Sequence, residues 1–244
     1  MAEPVLLVGA GLGTTVAGLW SRCASRIRHI EVLGIDLPGH GRCAPVTGGV
    51  TVESLADVVR ERAEGFGDRP VWYAGVSLAG ALGLTLALDP GPVRGVAVLA
   101  AASRIGEPPM WLERAELVRR AGTAVMVAGS AERWFAPGFG ARDPETMGGM
   151  LRELSEVDAE SYAACCTALA SYDLHGRIAE AKVPVLLGRG ELDVVVSADV
   201  WARDASTLPD VTSHVFPGCG HQPPAEDPTR VAEVLTDWIH EGVS

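Results

Sequence analysis

Apolar residues along this chain fall into two kinds of run that alternate. Short continuous runs bounded by Gly, Pro or Asp, such as Val5-Leu6-Leu7-Val8 and Pro70-Val71-Trp72-Tyr73, read as strands buried on both faces, and they recur at about 5–9, 30–35, 71–75 and 93–100. Longer stretches between them carry helical periodicity or, at Leu78 to Leu88, are apolar all round. The alternation implies a mostly parallel α/β sheet with helices on both faces. It stops at Arg104. From there to about Ile178 the pattern is of several amphipathic helices with no β-rich run, for example Pro109 to Arg120 and Asp158 to Ser171. Strand-like runs return at about 183–188 and 211–216, and a last helix spans roughly Asp227 to His240. The expected organisation is one α/β core, 1–103 and 179–244, interrupted by a helical lid over 104–178 that lies across the C-terminal ends of the strands.

One serine sits where a strand runs straight into a helix, in Tyr73-Ala74-Gly75-Val76-Ser77-Leu78-Ala79-Gly80. A nucleophile elbow needs small residues two before and two after the serine so that strand and helix can pass closely. Gly75 and Ala79 qualify, although the usual pattern has glycine at both places. The strand near 183–188 leads into Arg189-Gly190-Glu191-Leu192-Asp193, where Asp193, or Glu191 earlier in the turn, offers a carboxylate. The strand near 211–216 leads into Pro217-Gly218-Cys219-Gly220-His221-Gln222, a loop with a single imidazole. Serine, acid and histidine in that chain order match the order of the α/β-hydrolase fold and differ from trypsin-like and subtilisin-like chains. The chemistry requires these types: imidazole takes the serine proton, and carboxylate fixes the imidazole tautomer. Oxyanion donors are expected at the N–H of Leu78 and at Leu12 in the loop Gly9-Ala10-Gly11-Leu12-Gly13-Thr14-Thr15.

The same loop resembles the opening of a dinucleotide site, with Asp36 standing for a ribose-binding carboxylate. The spacing argues against it, because the third glycine of the fingerprint falls at Thr14 and Asp36 lies too far along.

Taken together, Gly11-Leu12-Gly13-Thr14, Asp36-Leu37-Pro38-Gly39-His40-Gly41, Gly75-Val76-Ser77-Leu78-Ala79-Gly80, Arg133-Trp134-Phe135-Ala136-Pro137, Tyr162-Ala163-Ala164-Cys165-Cys166 and Gly220-His221 resemble the 3-oxoadipate enol-lactonases, which are α/β-hydrolases. The likeness runs over nearly the whole chain. It implies a triad of Ser77, Asp193 and His221, oxyanion donors at Leu12 and Leu78, Trp134 as a pocket wall, no cofactor, and an enol-lactone bearing a carboxylate as substrate. Two features depart from the family. Its loop after the first strand is usually more polar than Gly9-Ala10-Gly11, and it normally has an N-terminal β-hairpin, whereas here Val5 to Val8 already reads as the oxyanion strand. Without the hairpin, the strand near 30–35 would form a sheet edge, which a loop or a second subunit in a homodimer should shield.

Charge and composition narrow the function further. A net charge of −11 argues against nucleic acid or an anionic membrane as partner. Five cysteines without paired spacing, and no signal-peptide pattern, fit reduced thiols in the cytoplasm, and the adjacent Cys165 and Cys166 read as packing residues with no metal expected. Lys182 is the only lysine; among the arginines of the middle segment, Arg104, Arg114, Arg119, Arg120 and Arg133, Arg133 is the first candidate for a substrate carboxylate and the others read as solvated helix faces. His40, in a Gly-His-Gly turn, reads as a loop hydrogen-bonder, while Trp111 reads as a lid anchor. The expected function is a carboxylic ester hydrolase that opens a lactone or ester through an acyl-enzyme. The alternatives are another ester in a biosynthetic pathway and a ligand-binding protein on the same fold without useful turnover.

Overall fold

In the computed structural model, which describes residues 3–243, the short apolar runs form one sheet. Strand β1 (Val5–Gly9) leads through α1 (Val16–Ala24) to β2 (Glu31–Ile35), and α2 (Val52–Glu64) leads to β3 (Val71–Val76). Helix α3 (Leu78–Leu88) and β4 (Val93–Leu99) follow, and after the insertion come β5 (Val185–Gly190) and β6 (Val211–Phe216). The six strands lie in the order β2-β1-β3-β4-β5-β6 and every neighbouring pair is parallel. All residues of β1, β3 and β5 are buried, as both faces of a parallel sheet require. The chain steps from β1 outward to β2 and returns past β1 to β3, so the order reverses between β1 and β3. A crevice opens there at the C-terminal ends of the strands.

Helix α3 is buried at each of its eleven positions, which is why its sequence shows no polar face. It packs on β3 and β4 together with α2, whereas α1 packs with the C-terminal helix, and Trp238 of that helix meets Trp72 of β3 edge-on at 4.8 Å. Local chemistry fixes the helix starts: Thr15 caps α1 by accepting from Gly18 N–H, and Thr51 with Ser54 forms a capping box on α2. Strand β5 starts at Val185, two residues later than its apolar run suggests, because Pro184 has no N–H to give the ladder. It also runs on through Arg189-Gly190.

Between β4 and β5 lie α4 (Pro108–Ala121), α5 (Val127–Trp134), α6 (Phe139–Arg142), α7 (Pro144–Glu156) and α8 (Ala159–Ser171), with no strand among the described residues. Both ends of this segment are fastened at one place. Ser103 donates its N–H and its hydroxyl to the buried Asp204 carboxylate at 2.5 and 2.9 Å, Asp204 lying in α9 (Ala198–Thr207). Tyr172 OH donates to Ala102 O, and Leu174 N–H donates to Ser103 O. Farther out, Thr15 Oγ1 donates to Glu153 of α7 at 2.9 Å, and Arg22 of α1 pairs with Asp143. Helix α8 differs from the amphipathic expectation: Ser161 to Cys166 are all buried, because α4 packs along one side and the loop after β2 covers another, with Val46 N–H donating to Ser161 Oγ at 3.0 Å. Cys165 and Cys166 are packing residues, and burial pushes both thiols up to about 12. After β6 come α10 (Pro223–Glu226) and α11 (Pro228–Val243). No helix among the described residues is long and apolar enough to cross a membrane.

Two outcomes are expected of this architecture. A Cβ on Gly75 would stand 2.1 Å from Ala79 O, a backbone atom with nowhere to go. Gly75→Ala should therefore cost at least about 3 kcal/mol, a fall in Tm of roughly 6–12 °C by circular dichroism. Strand β2 is one edge of the sheet, as expected for the strand near 30–35, and its Glu31 and Gly34 are exposed. A second copy covering this edge should give light scattering of twice the mass of one chain; a single-chain mass would mean that the short length and the Glu31 charge protect the edge alone.

Candidate active site

Ser77 is the one residue between β3 and α3, and its backbone is forced to φ 57° and ψ −117°. A non-glycine residue there costs on the order of 1–3 kcal/mol and persists only where its surroundings overdetermine it. Here they do. Ser77 N–H donates to Leu99 O at 2.9 Å, Ala81 N–H donates to Ser77 O at 2.9 Å, and Tyr73 OH donates to Ala79 O at 3.0 Å. Ala79 is accommodated where the usual pattern has glycine because the residue facing it is Gly9, where a Cβ would lie 2.8 Å from that of Ala79.

Asp193 and His221 meet as expected. The loops that carry them touch so closely that a Cβ on Gly190 would fall 1.9 Å from Gly220 O. Both side chains are buried, and His221 Nδ1 lies 3.1 and 3.0 Å from the two Asp193 oxygens. Asp193 Oδ1 also accepts from Val195 N–H and Val196 N–H, which locks the carboxylate. With Nδ1–H donated to the acid, Nε2 of His221 is left as the basic nitrogen. Glu191, the other carboxylate in this turn, faces away and accepts from Gly218 N–H at 2.9 Å.

His221 is held from the main-chain side by groups that sequence reasoning missed. Its N–H donates to Trp134 O at 2.9 Å. The amides on either side, Gly220 and Gln222, donate to Glu226 Oε1 at 2.9 and 3.2 Å, while Glu226 Oε2 accepts from Ala136 N–H at 2.7 Å. Burial raises the Glu226 carboxyl, against the opposing pull of these amides and Arg142. The only available signal was an acid in the Pro-rich turn after the histidine.

The loop after β1 is built around His40. Its Nδ1 lies 2.8 Å from Pro38 O and its Nε2 accepts from Gly13 N–H at 3.0 Å, so the ring is the neutral Nδ1–H tautomer. Burial lowers its pKa and supports that form. Thr14 N–H and Oγ1 both donate to Gly11 O. The dinucleotide reading meets a physical obstacle here: Asp36 Oδ1 accepts from Val16 N–H at 2.7 Å, so a carboxylate already occupies the helix N-terminus that a pyrophosphate would need.

Ser77, His221 and Leu12 open into one cavity of about 190 Å³. Its walls are apolar (Ile105, Trp111, Trp134) apart from Tyr162, Ser130 and two guanidiniums, Arg114 and Arg133. Shallower depressions of about 520 and 670 Å³ lie nearby, but neither includes Ser77 or His221. Trp134 is both buried and a wall, and Trp111 likewise, so anchoring and lining are one role. Arg114, expected on a solvated face, instead lies over the Trp111 ring at 4.6 Å and reaches the cavity. Arg104, Arg119 and Arg120 pair with acids at the surface. Arg114 and Arg133 form no ion pair among the described residues, and burial followed by repulsion from Arg114 lowers the Arg133 pKa.

Comparison with known proteins agrees with this arrangement. Residues 5–234 match the model of an alpha/beta hydrolase family. The chain is 31% identical over 196 residues to 3-oxoadipate enol-lactonase 2 of Acinetobacter baylyi, covering 80% of this chain and 73% of that protein. It is 26% identical to a pimeloyl-[acyl-carrier protein] methyl ester esterase of Yersinia enterocolitica, covering 97% of this chain and 93% of that one. Among solved structures, the enol-lactonase from Burkholderia xenovorans LB400 superposes with a TM-score of 0.92 at 24% identity, over 98% of this chain and 92% of that chain. A six-stranded parallel sheet with a strained serine at its reversal point, an acid and a histidine on the loops beyond, and these likenesses make the chain a member of the alpha/beta hydrolase family.

Proposed function

We propose that the protein is a serine hydrolase that opens a small lactone or ester through a covalent acyl-enzyme, with an enol-lactone bearing a carboxylate as its preferred substrate. The observation that carries the reading is a buried His221, held by Asp193, that opens into one small cavity with a strained Ser77. Ser77 Oγ attacks the carbonyl carbon while His221 Nε2 takes its proton, and Asp193 holds the Nδ1–H and stabilises the imidazolium. The tetrahedral oxyanion is received by two amides. Leu78 is the first residue of α3, so its N–H has no acceptor within the helix. Leu12 borders the cavity, and its neighbours Gly13 and Thr14 have their N–H groups committed to His40 and Gly11. Each such donor is worth about 3–4 kcal/mol in the transition state. Collapse breaks the ring C–O bond and His221 returns its proton to the leaving oxygen; water then attacks the acyl carbon with His221 as base, and the second intermediate expels Ser77 Oγ, which takes the proton back from His221 as the acid is released. The helical segment acts as the lid that keeps this chemistry from bulk water.

Substrate class is supported by the cavity and the relatives. At about 190 Å³ it is smaller than the roughly 300–1,000 Å³ of pockets that take drug-sized ligands, which favours a compact acyl group. Two guanidiniums that form no ion pair among the described residues face this cavity, and a carboxylate is the planar partner they fit. Arg133 is the primary ligand in this reading and Arg114 its second arm. The 31% likeness to an enol-lactonase points the same way. A protein that only binds ligand would have no use for the strained serine beside a buried acid–base pair.

Ser77→Ala should lose more than about a thousandfold in kcat on any hydrolysed ester while Tm stays within a few degrees. Asp193→Asn should cost on the order of ten-thousandfold through the wrong His221 tautomer, while Glu191→Gln should leave turnover within about threefold. A crippled Glu191 variant with an active Asp193 variant would reverse the acid assignment. For substrate class, Arg133→Gln should raise KM for an anionic lactone about tenfold, some 1.4 kcal/mol, and barely alter hydrolysis of p-nitrophenyl acetate. Arg114→Gln should show the same selectivity. Equal effects on both substrates would assign the arginines to structure, and a wide wild-type preference for the neutral ester would replace the enol-lactone reading by a general esterase.

A further inference from the structure

The loop 217–222 has neither helix nor strand, yet it must hold the His221 ring against the acid. Its three consecutive amides, those of Gly220, His221 and Gln222, are all committed. Gly220 and Gln222 donate to Glu226, and His221 donates to Trp134 O. The other oxygen of Glu226 reaches Ala136, two residues beyond Trp134. One buried carboxylate thus ties the main chain on both sides of the base to the segment that lines the cavity.

We propose that Glu226 is a positioning residue for the hydrolytic site: by clamping Gly220 and Gln222 to Ala136 it sets where His221 stands relative to Asp193 and Ser77. The inference rests on the triad reading above. Burying a carboxylate is expensive, and an apolar side chain would fill the same space without that penalty. What it would not do is accept three N–H groups from two separate segments. Charge-assisted bonds to backbone amides are short and directional, and a misplacement of about 1 Å at a catalytic group costs on the order of a hundredfold in rate. The other ionisable groups felt here are few. Arg142 of α6 donates to Glu226 O at 3.5 Å and its charge opposes the effect of burial, and Cys219 and Asp227 flank the turn.

The test uses Glu226→Gln, whose amide nitrogen must face one of the donor arms and so releases it. Expected are a fall in kcat per folded molecule of about ten- to a hundredfold on a neutral ester, a KM within about twofold, and a displaced acid limb of the pH–rate profile. The downfield proton resonance of His221 Nδ1–H bound to Asp193 should shift or broaden. A residue that only stabilises the fold would lower Tm and leave kcat per folded molecule and that resonance unchanged, and this result would overturn the proposal. Should the variant not fold, the wild-type chain supplies the second measurement. The amide resonances of Ala136, Gly220 and Gln222 and the His221 proton should follow a single titration of the Glu226 carboxyl, and independent titrations would overturn it. The resonance is read without turnover, so an active Ser77→Ala variant would remove the triad reading while the clamp is still judged.

Discussion

The close crossing of β3 and α3 is the constraint on which everything else hangs. Gly75 must pass within contact of Ala79 O, and that contact leaves Ser77 only a left-handed turn in which to reverse the chain. The strain is held by a buried setting: every residue of β3 and α3 is buried, and Tyr73, Leu99 and Ala81 supply hydrogen bonds that a relaxed turn would break. A serine placed this way is presented above the sheet by the backbone alone. It also stands at the N-terminus of a buried helix, where aligned peptide dipoles place fixed partial positive charge.

The remaining groups are delivered by loops whose freedom has been taken away by specific bonds. His40 holds the β1 loop through Gly13, Val195 and Val196 hold the Asp193 carboxylate, and Trp134 with Glu226 holds the His221 main chain. The last of these crosses from core to insertion. The insertion that lines the cavity and the loop of His221 are therefore mechanically joined, while Ser77 belongs to the sheet.

Strand and helix positions were legible because apolar runs bounded by Gly and Pro report burial directly, and all six strands lie where those runs fall. Ser77, Asp193 and His221 were legible because the chemistry restricts residue type and chain order. What the sequence hid has a common cause. Arg114 has the spacing of an exposed helix face, and only the packing of Trp111 and Tyr162 beside it turns that face toward the cavity. Glu226 makes its bonds to backbone amides, which leave no trace in the partner sequence, 90 residues away in the case of Ala136. Helix α8 reads as amphipathic by itself, but a loop from the other half of the chain covers the face that would meet water. In each case the missing information is tertiary.

The fastening of both ends of the insertion to one spot bears on how such a protein can change. Because Ala102 and Ser103 are bonded to Tyr172, Leu174 and Asp204, the helices between them form a closed excursion whose ends stay put whatever its length. Closing a longer excursion adds only about 0.6 kcal/mol of chain entropy per doubling. The entropy of closing the chain is thus nearly independent of the length strung between those two points. Outside the stretch 134–136 that holds the His221 loop, helices can be lengthened or exchanged there, and the cavity reshaped, at little cost in chain entropy.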